Sequence, residues 1–382
     1  MTPTGDAILI VGGYGVVGRQ IAECIRERHP DLPLIVAGRT PSRGEDLAAM
    51  LAPAVTAAMD VAKPQPLGHI LPRAIICAVN DPADHLLSDA IRLGVPLLDI
   101  TRWTELVRAT STALGGEDLQ STVLLSSGWM AGIASVVAVA ASRRLERVES
   151  IDISVLYSLK DKAGPNSAEY MDRLATPFDV MKDGERATVL PYSDPRTVTF
   201  PDGREARAYR FDTPDQLTLP QSTGAKTVSA RIAFDSAATT WMLVALIRSG
   251  VWKLISGERF TGLRRSLLYN PGPGASHQIV IDVAGTDQVG EPSSIRATVS
   301  DPLGQTHLTA VGALVQLERL LGLDGAALPA PGVVFPDTAP QTDAALQTLE
   351  HFGVSVTVDQ GHGPLVRPGI EQRYRPDGQA LH

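Results

Sequence analysis

Cysteine is nearly missing from this chain: Cys24 and Cys77 are the only two in 382 residues. Cys24 falls in a predicted helix and Cys77 in a predicted strand, with no partner nearby in sequence. That excludes a disulfide framework and suits a reducing cytoplasm, the expected location. Metal-binding patterns are missing as well. The eight histidines are scattered, and HxH, HExxH and CxxC do not occur, so no metal is expected. Basic charge is in short supply. A net charge of −8 leaves no positive field for nucleic acid or an anionic membrane surface, and no block of like charge appears. Long apolar runs are absent too. The apolar part of the longest uncharged stretch, Leu124 to Ser142, is broken by Ser126, Ser127 and Gly128, and reads as a buried strand followed by a buried helix. The opening MTPTGD has neither a basic region nor an apolar signal segment. No internal repeat or low-complexity tract is found.

What is present alternates. Apolar runs at Ala7–Val11, Leu32–Ala37, Ala54–Met59, Ala74–Val79, Val95–Ile100 and Thr122–Ser126 read as strands buried on both faces. Helical segments at about 16–28, 42–52, 82–93 and 131–144 separate most of them. Strands alternating with helices predict an α/β fold with a doubly wound parallel sheet. From about Glu149 the pattern changes to half-exposed strands such as SIDISVLYSL and HQIVIDVAG, interrupted by a helix at about 237–255. This predicts a second, α+β domain with a largely antiparallel sheet. NPGPGASH, from Asn270 to His277, reads as a loop.

The stretch ILIVGGYGVVGRQIAECI contains Gly13-Tyr14-Gly15-Val16-Val17-Gly18. A lone GxGxxG is a weak signal, but this one follows a strand and opens a helix at the start of an alternating unit. Gly13 is expected to permit the tight turn, Gly15 to let a pyrophosphate approach the backbone, and Gly18 to let the helix pack on the strand. Amides around Gly15–Val17 then face the anion at a helix N-terminus, and Tyr14 joins the expected cofactor-binding set. At the end of the second strand, IVAGRTPSR offers no acid for the ribose hydroxyls, and Gly38 stands where that acid belongs. Arg39, Thr40, Ser42 and Arg43 suit a 2′-phosphate instead, so NADPH is expected over NADH.

LIVGGYGVVGR, VAGRT, AVND, AIRLGVPLLDIT, SSGWMAG and DPLGQTHLTAVGALVQLERLLG together resemble the saccharopine dehydrogenase-like (saccharopine reductase-type) family. The resemblance covers most of the chain and is weakest over 150–270. It implies a Rossmann NADP-binding domain over 1–145 and a substrate-binding and dimerisation domain over 146–304. It further implies a return to the first domain over 305–359; the remainder, 360–382, is rich in Gly, Pro, Arg and Gln and is expected to be a loose tail. It implies reduction of a C=N bond in an amino-acid-derived substrate, or the reverse oxidation, by a homodimer. It places Asn80 near the nicotinamide ribose, Asp99 at an acidic position after the fifth strand, and Gly128 where backbone meets cofactor. Ala131 stands where relatives often carry proline, and NDPADH replaces their usual Gly-Pro-Tyr.

Strand C-termini of a doubly wound sheet face the cofactor crevice. Asp60, Asn80, Asp81, Gly128 and Trp129 are therefore added to the expected cofactor-binding set. Asp99 and His85 are the expected proton shuttles and Trp103 a further catalytic candidate. The second domain must supply the substrate contacts. Its candidates are Tyr157, Lys160, Lys162, Tyr170, Arg173, Arg210, Asp215, Gln216, Thr223 and Lys226, since a carboxylated substrate wants a cation. Two other functions stay open: a trans-acting enoyl (C=C) reductase, and a non-catalytic NADPH-binding redox regulator. Against the first, the loop reads Gly-Gly-Tyr-Gly rather than Gly-Ala-Thr-Gly.

Overall fold

The computed structural model describes residues 4–161, 173–254, 260, 272 and 274–360. The apolar runs become β1 (Ile8–Val11), β2 (Leu34–Gly38), β3 (Ala54–Ala58), β4 (Ala74–Cys77), β5 (Leu97–Asp99) and β6 (Thr122–Leu125); five are buried as expected, whereas β3, at the sheet edge, is half-exposed. They form one parallel sheet in the order β6-β5-β4-β1-β2-β3, and a late strand, Gly332–Val334, adds beside β6. Helices α1 (Val16–Arg28), α2 (Glu45–Met50), α3 (His85–Leu93), α4 (Thr104–Leu114) and α5 (Ile133–Ser142) join the strands. Order reverses between β1 and β4, the switch point where open α/β sheets take ligands.

The second sheet is built from β7 (Arg147–Tyr157), β10 (Arg196–Thr199), β11 (Glu205–Arg210), β12 (Thr227–Phe234), β13 (His277–Thr286) and β14 (Pro292–Asp301). A separate hairpin is made by β8 (Phe178–Lys182) and β9 (Glu185–Val189). Its order is β10-β11-β12-β7-β13-β14, and a last strand, Ser355–Gln360, pairs with β14. Only the β12–β7 pair is parallel among the described residues, so the sheet is largely antiparallel as its alternation implies. The expected helix at 237–255 is two pieces, Ala237–Arg248 and Val251–Leu254, parted by Gly250 at φ 79°.

The two sheets share a core. Helix α5 is apolar all round because it is buried all round. Its Val136 and Val137 belong to one apolar cluster with Ile10 of β1, Ile153 of β7 and Ile281 of β13. Helix Gln305–Leu320 closes the same core. It lies against α1, where Gln20 Nε2 donates to Thr306 Oγ1 at 3.0 Å and His29 Nε2 lies 2.9 Å from Glu318 Oε1. The segment after it divides between the sheets: Gly332–Val334 extends the first, and Ser355–Gln360 extends the second. Both cysteines are free and buried. The expected tail beyond Gln360, and Asn270, Pro271 and Pro273 of the expected NPGPGASH loop, lie outside the described residues.

Candidate active site

The glycine turn is the first wall of the site. Gly12, the residue before the motif, supplies the left-handed conformation with φ 82°. A Cβ there would lie 3.1 Å from the Ala78 carbonyl oxygen. The tight turn expected of Gly13 therefore belongs to Gly12. Gly13 is needed for a different reason: its missing Cβ would sit 2.8 Å from the Ile10 carbonyl oxygen. Gly15 caps α1 with no side-chain hydrogen bond and donates its own N–H to the Gly12 carbonyl at 2.9 Å. First-turn amides of α1, from Val16 to Gly18, have no intrahelical acceptors, and these residues line a cavity of about 890 Å³.

Tyr14 folds back over the end of β2. Its hydroxyl accepts the Thr40 N–H at 2.8 Å, and its ring lies where a Cβ of Gly38 would go. Arg43 stands over that ring, 5.9 Å from its centroid. Arg39 and Arg43 line the cavity, and among the described residues neither forms an ion pair. Thr40 and Ser42 are exposed beside them, outside the lining. Asp60 lines the same end, and its carboxylate accepts the Ala62 N–H at 3.2 Å.

Asn80, Gly128 and Trp129 line the middle of the cavity. A Cβ on Gly128 would meet Asp215 Oδ1 at 2.7 Å, so glycine lets the carboxylate close on this loop. Asp215 then accepts the Trp129 N–H at 2.8 Å and the Ser135 hydroxyl at 2.5 Å. The Trp129 indole N–H donates to His277 Nε2 at 2.9 Å. Burial holds the His277 pKa down at about 3, so the ring is a neutral acceptor. Sequence reasoning missed His277, which is read only as the junction of the NPGPGASH loop and a strand.

The expected catalytic residues lie behind the cavity wall. Asp99 is 1% exposed. It accepts from the Thr101 N–H at 2.9 Å, the Thr101 hydroxyl at 2.8 Å and Arg102 Nε at 2.7 Å. Arg102 also reaches Thr110 at 2.8 Å and Asp84 at 2.7 Å. Burial lowers its pKa, but Asp99 and Asp84 more than offset this and the net direction is up. The acid is thus the anchor of a buried ion network, and Thr101 is the neighbour that faces the cavity. Asp81 accepts the backbone N–H groups of His85, Leu86 and Leu87 at 3.0, 2.8 and 3.2 Å, which makes it the cap of α3. Burial raises its pKa, against those three bonds. The His85 ring is 3.1 Å from the Val61 carbonyl. Trp103 lies under Arg173, whose guanidinium carbon is 4.4 Å from the ring centroid. None of Asp81, Asp99, His85 and Trp103 lines the cavity.

The second-domain wall is aromatic. Tyr157, Tyr192, Phe211 and Phe234 enter the cavity beside Leu174 and Ile232. The Trp129 and Phe211 rings meet edge to face at 5.6 Å, as do those of Tyr157 and Phe234 at 5.6 Å. Gln305 Nε2 donates to the Tyr157 hydroxyl at 3.0 Å, and both residues line the cavity. The expected polar contacts have other partners. Arg210 pairs with Asp194 at 2.8 Å, Lys226 with Glu149 at 3.0 Å and Arg173 with Glu105 at 2.5 Å. Gln216 bonds the Phe211 carbonyl and the Ala230 N–H, each at 2.9 Å, while Thr223 bonds the Leu219 carbonyl at 2.6 Å. Lys160 is exposed and outside the lining. Lys162 and Tyr170 lie outside the described residues. The signal available in sequence was alternation: Tyr157, Phe211 and Phe234 end or follow strands whose alternate residues face the core.

A switch point, a glycine turn and a cavity shared with a second sheet define a Rossmann-type parallel sheet joined to a mixed sheet, with the cavity lined by residues of both. Neither a protein-family model nor a curated protein sequence matches the chain. Among solved structures the chain is similar to apo saccharopine dehydrogenase (L-Glu forming) from Saccharomyces cerevisiae, at 14% identity over 94% of this chain and 100% of that one, with a TM-score of 0.70. It also matches amine dehydrogenase from Mycobacterium smegmatis, at 12% identity over 88% of this chain and 97% of that one, with a TM-score of 0.45. The fold of this chain is saccharopine dehydrogenase-like.

Proposed function

We propose that the chain is an NADPH-dependent oxidoreductase that reduces a C=N bond of an amino-acid-derived substrate, or runs the reverse oxidation. The observation that carries this is the single cavity running from the uncapped N-terminus of α1, past the switch point, to the second domain. The residues present fit a dinucleotide. First-turn amides of α1 would hold the pyrophosphate. Arg39 and Arg43, free of ion pairs among the described residues, would hold the 2′-phosphate with Thr40 and Ser42. Asn80 and Gly128 would border the nicotinamide ribose.

When bound, the cofactor supplies hydride. The chain's own work is to orient the acceptor carbon and exclude water. Trp129, fixed at its backbone by Asp215 and at its indole by His277, holds the wall between the two ends. An imine needing a proton would meet it at the Tyr157 hydroxyl, which Gln305 orients, rather than at Asp99 or His85. Homodimer formation, tested by light scattering, is part of the proposal. Titrating NADPH and NADH by fluorescence, then following NADPH oxidation with a panel of imines, tests the reading. Equal affinity for the two cofactors, or no oxidation by any imine, would refute it. The aromatic far wall keeps enoyl reduction as the second reading, and an enoyl thioester in the same assay decides between them.

A further inference from the structure

Resting on that reading, we propose that the second-domain half of the cavity holds an uncharged, apolar group of the substrate, an aryl ring or a branched hydrocarbon, rather than a carboxylate. The described second-domain lining is Tyr157, Leu174, Tyr192, Phe211, Ile232 and Phe234, and each is at most 8% exposed. The rings are not loosely placed. Phe211 is edge-on to Trp129, Phe234 is edge-on to Tyr157, and Tyr192 stacks on Tyr209 at 6.2 Å. Such a wall presents π faces and hydrocarbon, the surface that takes an apolar ligand group.

The two buried cations of the second sheet point the other way, and Arg207, which shares the Phe211 face of β11, is exposed and outside the cavity lining. Arg210 and Arg231 occupy paired positions on β11 and β12. Strand alternation sends their side chains to the face opposite Phe211 and Ile232. There Arg231 contacts Asp152 at 2.7 Å and Asp194 at 2.6 Å, and Arg210 contacts Asp194 at 2.8 Å. Within the described lining, charge is confined to Arg39, Arg43 and Asp60, all at the ends of β2 and β3. A carboxylate in the aromatic half would be desolvated without a counter-charge, which is costly. Polar atoms there are neutral: burial holds the Tyr192 phenol above its ordinary range, and Gln305 is an amide. They allow one oriented hydrogen bond to an otherwise apolar ligand.

A matched pair of cyclic imines tests this: 2-phenyl-1-pyrroline and 1-pyrroline-2-carboxylate, which differ in phenyl against carboxylate. Each is titrated by calorimetry against the full chain, with and without NADPH, and NADPH affinity is measured separately. The phenyl compound is expected to bind at least tenfold more tightly. Phe211→Ala should cut that affinity at least fivefold and leave NADPH affinity unchanged, which also reports that the variant is folded. Equal or tighter binding of the carboxylate, or no measurable binding of the phenyl compound, overturns the proposal. The wild-type ratio decides even where the variant does not fold. Failure to bind NADPH would sink the reductase reading instead, while the imine pair still reports on the cavity of the apo chain.

Discussion

The two ends of the cavity are made by opposite means. At the end proposed for the nucleotide the wall is built around a glycine turn, an uncapped helix start and strand ends, with charge on the exposed Arg39 and Arg43 and the half-buried Asp60. At the second-domain end the wall is buried side chain, converging from β7, β12 and segments near 174, 192 and 211. One end is suited to an anion held by dipoles and surface cations. The other is suited to area removed from water. A ligand that spans both must be polar and charged along one half and apolar along the other.

The largest expected effect separates the cavity wall from what stands behind it. Asp99→Ala leaves the Arg102 guanidinium buried beside only the half-exposed Asp84. It should cost about 3–5 kcal/mol of stability, as for breaking a buried ion pair. Urea unfolding measures it. A stable variant that loses only turnover would return Asp99 to the chemistry.

Next comes Gly15→Val. A Cβ at Gly15 meets only the Gly12 carbonyl oxygen, at 3.1 Å, so the fold should persist. Its methyl groups would fill the pyrophosphate's approach, and NADPH affinity should fall roughly a hundredfold or more, about 2.7 kcal/mol. Circular dichroism alongside a fluorescence titration checks both halves. Arg39→Ala should then cost about 1.5–3 kcal/mol of NADPH affinity, the range for a hydrogen bond to a charged group, and leave NADH affinity nearly unchanged. A parallel loss for both cofactors would remove the 2′-phosphate from the argument.

The smallest effect lies at the junction of the two ends. His277 titrates at about 3 in the fold against an ordinary 6.5. Between those values the unfolded chain binds a proton that the native chain does not. Stability from this group is full above about pH 6.5 and is lost as pH falls toward 3. From about pH 7 to about pH 5 the loss should be roughly 2 kcal/mol. Unfolding midpoints of wild type and His277→Asn across that window isolate it: the variant should lack this part of the slope. Identical slopes would mean that His277 is not held neutral.

The turn and helix start at the end proposed for the nucleotide were legible in the sequence because their signals are local. Gly13, Gly15 and Gly18 follow a strand within one short stretch, and the missing acid before Arg39 lies on the next strand. Apolar runs alternating with helices likewise predicted the parallel sheet, and alternation within strands the largely antiparallel one. The aromatic end was not legible, because Tyr192 and Leu174 lie in irregular chain with no periodicity to set their direction. Asp99 and Asp81 misled for a related reason. A carboxylate at a strand end can face the crevice or turn back to satisfy backbone N–H groups, and only the paths to Thr101 and Leu86 show which.

Tyr14 resting over Gly38 has a consequence for how cofactor choice could change. The usual route from NADPH to NADH places an acid at the end of the second strand. Here a side chain at 38 would run into the Tyr14 ring, and displacing that ring would also break its bond to the Thr40 N–H. Gly38→Asp alone should therefore lose one cofactor without gaining the other. A workable path has an order: a smaller residue at 14 first, the acid second. Descendants of this chain would cross a stage with weak affinity for both cofactors, so the proposed preference for NADPH would be hard to leave by single steps.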